Sequence, residues 1–70
     1  MIEKECAIDI HAQALAAITA LTLALNQSRN RCSPERFEQI KRGIGIAIGE
    51  IQMEVLEPLY VDFPELDDLK

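Results

Sequence analysis

The chain is expected to fold as an all-α protein: an antiparallel helical hairpin with a short acidic C-terminal tail, pairing with a second copy into a four-helix bundle. Three observations predict this. Two long stretches repeat apolar residues at three- and four-residue steps, the spacing of one helical face. A proline-marked helix start lies between them. The second stretch carries two apolar stripes, one more than a single companion helix covers.

Helix 1 is expected from about Lys4 to Arg29. Its interior holds no Gly or Pro and is rich in Ala and Leu, the strongest helix formers. One face reads Ala7, Ile10, Ala14, Ala17, Leu21, Leu25. The opposite face reads Glu5, Asp9, Gln13, Ala16, Ala20, Leu23, Gln27, and His11 falls on a mixed face between them. The alanines allow close approach of another helix. Arg29 and Arg31 suit the negative end of the helix dipole.

The break is well marked. Asn26 to Cys32 is polar and basic, then Ser33 offers an N-cap, Pro34 a first helical residue and Glu35 a favourable first-turn charge. A short connection between long helices makes them antiparallel neighbours.

Helix 2 is expected from Pro34 to about Glu57 or a turn beyond, with Pro58 ending or kinking it. The alternation from Gly43 to Gly49 also fits a strand, but helical flanks and the lack of a partner strand favour a helix. Three interior glycines then cost ~1 kcal/mol each against Ala. Close packing against Gly45 and Gly49, four apart, would offset that. One stripe reads Phe37, Ile40, Ile44, Ile48, Ile51, Val55, Leu59 and is assigned to the hairpin seam. The other reads Arg42, Ile46, Gly49, Met53, Leu56, Tyr60 and is assigned to a dimer or partner interface.

Residues 58–70 form the acidic tail, with one short helical turn expected. Asp62 and Glu65 have capping-box-like spacing, and Phe63, Leu66 and Leu69 share a face.

Composition bounds the function. A chain of 70 residues is one small domain, and a lone core of this size supplies only ~3–5 kcal/mol, so a second copy is a natural support. Cys6 and Cys32 sit at opposite ends of helix 1, roughly 39 Å apart at ~1.5 Å rise per residue. An intrachain disulfide needs its Cα atoms within about 7 Å, so free thiols in a reducing cytoplasm are expected. The N-terminus has no basic-then-apolar leader pattern, and the weakly polar run Ala14 to Leu25 is too short for a bilayer, so no membrane is expected. A net charge of −5 disfavours phosphate backbones and suits a basic protein surface.

No residue set points to chemistry. Cys6, Asp9 and His11 point in different directions on a helix, a poor start for a metal site. His11 is expected at the surface or half-buried. Gly43, Gly45 and Gly49 lack the strand–turn–helix context of a dinucleotide site. Asp67 and Asp68 lie in a tail with no fixed geometry, so no catalytic residue and no cofactor is expected.

The sequence therefore suggests a small, non-enzymatic, cytoplasmic regulator that binds and inhibits or sequesters another protein, in the manner of an antitoxin, anti-activator or inhibitor. Two alternatives come from other classes. One is a nucleic-acid-binding dimer using the basic turn of Arg29, Arg31 and Arg36. The other is a structural oligomer subunit.

Overall fold

α1 runs from Lys4 to Ser28 in the computed structural model, which describes residues 2–69. Glu3 holds its N-cap position in extended backbone without a side-chain hydrogen bond. At the far end the Cys32 thiol donates to the Ser28 carbonyl, one of the acceptors a helix terminus leaves open. The chain then reverses, and the Ser33 hydroxyl accepts from the Arg36 amide at 3.2 Å to start α2, Pro34–Ile51. The cap and Pro34 sit where their chemistry directs them. α1 and α2 form an all-α two-helix hairpin, 45 × 17 × 16 Å with its tail. The Gly43–Gly49 stretch is helical throughout.

The seam of α1 keeps Ala7, Ala14, Leu21 and Leu25 of the first expected face but has His11 and Ile18 in place of Ile10 and Ala17. Ala7, His11, Ala14, Ile18, Leu21 and Leu25 turn inward, alternating steps of four and three, while Ile10 and Ala17 are exposed. The seam is thus turned slightly towards the mixed face, and it takes in His11. The first stripe of helix 2 is half-buried from Phe37 to Val55 and buried at Leu59, as a seam facing α1 requires.

The second helix continues past Glu57 by a little more than a turn. A π-helical turn, Gln52–Leu56, follows α2, and α3 continues from Glu57 to Asp62. The Glu57 amide reaches back five residues to the Gln52 carbonyl. Proline in a regular helix clashes with the carbonyl four residues earlier, here that of Glu54. The wider π turn before Pro58 opens that spacing, so the helix passes through the proline. It also admits one extra residue, which shifts the inward direction by one position. Val55 stays half-buried, whereas Leu56 becomes 4% exposed.

The tail docks. After Phe63, whose non-helical backbone ends α3, residues Pro64–Leu69 form a 3₁₀ segment started by the Leu66 amide bonding the Phe63 carbonyl. Asp62 lies inside α3, so it does not cap this turn as its spacing with Glu65 suggested. Leu66, only 1% exposed, packs with Ala7 and Leu59, flanked by Tyr60 and Phe63. Leu69, expected on the same face, lies outside the described side chains. Lys4 and Glu65 close the arrangement with an ion pair at 3.2 Å. The fully buried residues thus gather at the open end of the hairpin, where α1, α3 and the tail meet.

α1 is also long and apolar enough, by length and composition, to cross a bilayer, with a mean hydropathy of 1.5 over an 18-residue window that is 11% buried. The sequence expectation counted only Ala14 to Leu25 and so missed this.

Candidate partner-docking groove

The second stripe of helix 2 divides at the π turn. Upstream, Arg42 and Ile46 are exposed and Gly49 is half-buried. Ile46 is 60% exposed on the side away from α1. A Cβ added at Gly43, Gly45 or Gly49 would meet nothing within 4 Å. The close packing expected at these glycines is therefore not made within one chain, and their helix-interior cost stands uncompensated there.

Downstream, Met53, Leu56 and Tyr60 converge on one groove of about 720 Å³. Leu15 and Ile18 of α1 form its second wall, and Val61 and Asp67 complete it. Leu56 is inside the chain and Tyr60 half-buried, so neither lies on an uncovered outer face as the stripe implied. The cause is the extra residue of the π turn, which rotates them towards α1. Met53 and Val61, at 63% and 79% exposed, stand open to solvent on the rim. Gln52, Glu57 and Asp67 supply polar groups, so two carboxylates and no cation line the groove among the described residues.

Beneath the groove lies the most specific polar contact of the described residues. His11 is 4% exposed, and its Nε2 shares a 3.0 Å hydrogen bond with the Tyr60 hydroxyl. The two rings meet edge to face, centroids 5.6 Å apart. This pair fixes the depth at which α3 sits on α1, and with it the wall that Tyr60 provides. Sequence reasoning placed His11 too near the surface. The four-three run from Ala7 to Leu25 was the signal that could have placed it inward.

A smaller groove of about 400 Å³ lies on the other flank, between Ile10, Ala14 and Ala17 of α1 and Ile51 and Val55. At the turn end, the Arg29 guanidinium lies over the Phe37 ring at 5.8 Å, and Arg36 donates to Gln39. Both thiols are free, Cys6 exposed and Cys32 half-buried. No cluster of metal-ligating side chains occurs among the described residues. At Glu65 a hydrogen bond from its own backbone amide, then the Lys4 ammonium, hold the carboxyl below the usual range.

No family model, curated protein or solved structure matches the chain.

Proposed function

We propose that this protein is a small non-enzymatic regulator of the cytoplasm that binds another protein through its helical surface, inhibiting or sequestering it. The observation that carries this reading is the groove, whose exposed rim residues Met53 and Val61 flank a floor of Leu15, Ile18 and Leu56. Large apolar side chains gathered around a concave surface suit a contact site. Methionine suits the role, since its unbranched chain adapts to different partners.

Self-association belongs to the same reading. The exposed Ile46, with the open Gly45 and Gly49 beside it, offers a narrow face for a second copy and a four-helix bundle. Charge favours antiparallel pairing there. The turn end carries Arg29, Arg31, Arg36, Lys41 and Arg42, whereas Glu50, Glu54, Glu57, Asp62 and Glu65 crowd the open end.

Site-specific photo-crosslinking in the native cell tests the reading. A crosslinker at Met53 is expected to trap a distinct protein, while one at Leu23, exposed on the outer face of α1, traps none. Identical products from the two positions would refute it.

A further inference from the structure

We infer that two copies of this chain pair antiparallel through α2 about a two-fold axis at Ile46, each Arg42 crossing the partner's Gly49 to reach the partner's Glu50; this rests on the self-association reading above and gives it a register. α2 is the element the hairpin covers least. Among the described residues the buried apolar side chains, Ala7, Leu56, Leu59 and Leu66, all lie outside it. Its seam side chains are half-buried against α1, and Ile46, 60% exposed, stands on the opposite side.

The pattern around Ile46 is symmetric in spacing and opposite in charge. Arg42 and Glu50 each lie four residues from it. At ~1.5 Å rise and about 100° per residue, they sit roughly 6 Å to either end of Ile46 and about 40° to either side. Both are exposed, and neither forms an ion pair with another described residue. Turning a second copy end for end sets Ile46 on the partner's Ile46 and Arg42 opposite the partner's Glu50, twice per dimer. Gly49 falls on Arg42's flank of the helix, so it lies beneath the partner's Arg42. A Cβ at Gly49 meets nothing within one chain, and that space takes the arginine stem. A parallel pair would instead set Arg42 on Arg42 and Glu50 on Glu50. The groove walled by Leu15, Ile18 and Leu56 lies towards α1 and stays open in this pairing.

Sedimentation equilibrium of the full-length chain over a concentration series, with reductant to keep the exposed Cys6 free, tests the register. The parent is expected to form a reversible dimer. Arg42→Glu and Glu50→Arg each place like charges at both contacts and should weaken it at least ~10-fold. An equimolar mixture of these two variants should recover the parent's dimer, because every contact in the hybrid joins opposite charges. Ile46→Gln should weaken the dimer with no change of charge. All three positions are exposed, so the variants should keep the parent's helical circular dichroism. If a charge variant loses it, Ile46→Gln decides. Variants that dimerise like the parent, or a mixture that stays weak, overturn the register while leaving self-association standing. A parent that is monomeric throughout overturns both. The distinct protein expected at the Met53 crosslink reads partner binding separately in each case.

Discussion

Leu66→Ala tests whether the C-terminal tail is part of the folded protein. Leu66 is the most deeply buried large side chain described, enclosed by Ala7, Leu59, Tyr60 and Phe63. Truncating a buried leucine to alanine removes its transfer energy and leaves a cavity, at a cost of ~2–5 kcal/mol. The site lies near the chain's end, where the 3₁₀ segment can partly collapse, so the lower half of that range applies. A domain of this size has only ~3–5 kcal/mol of stability from its core. The variant should therefore lose roughly half its stability or more. For so small a domain each 1 kcal/mol lowers the melting midpoint by about 4–8 °C, so a fall on the order of 10 °C or more is expected. Circular dichroism melts and urea titrations at one fixed protein concentration provide the measure. Val61→Ala is the control: this neighbour in the chain is largely exposed, and its loss should stay within ~0.5 kcal/mol. If Leu66→Ala and Val61→Ala melt together, the tail does not dock and the shape derived for the groove fails with it.

Four further outcomes are expected. Tyr60→Phe keeps the ring but leaves the buried His11 nitrogen without this bond, and urea titration should show a loss of ~1–3 kcal/mol. Gly45→Ala should stabilise the isolated chain by ~0.5–1 kcal/mol, because the added methyl meets nothing; destabilisation at high protein concentration would instead reveal a second copy packed there. Met53→Asp should leave the melt within ~0.5 kcal/mol of the parent, whereas Leu56→Asp buries a charge and should unfold the open end; equal melts for the two would contradict the rotation attributed to the π turn. The Glu65 carboxyl is lowered on folding, so its contribution is present above the unfolded pKa and is lost as pH falls through the folded one. Both members of its ion pair are more than half exposed, so the effect is small. It should appear as acid-induced shifts in the Leu66 methyl signals that Glu65→Gln abolishes.

The elements that rest on local chemistry were legible in the sequence. Ser33 and Pro34 place the start of α2, and the Gly- and Pro-free composition of α1 makes it one long helix. The stripe from Phe37 to Leu59 was read as the seam, and it is half-buried as far as Val55 and buried at Leu59. What escaped depends on contacts distant in sequence or on a change of helical period. His11 faces inward because Tyr60, 49 positions later, meets it. Leu56 faces inward because the helix carries one residue more than an α-helical count allows. Pro58 was the available clue, since a helix that survives a proline must relax the turn before it. The tail's docking had a fainter signal: Phe63 and Leu66 share a face, but nothing nearby in the sequence says that Ala7 is the surface they meet.

The widened turn acts as a phase slip, so this one rod has two hydrophobic directions rather than one. Upstream of Gln52 the hairpin is a plain zipper, and its side chains are interchangeable with others of similar bulk. Downstream, the inward placement of Leu56 and Tyr60 depends on a single inserted position. Winding Gln52–Leu56 as regular α-helix with every residue kept would swing Tyr60 about 100° away from His11 and leave Leu66 facing a wall with no floor. A change that leaves the zipper intact would therefore erase the concave surface.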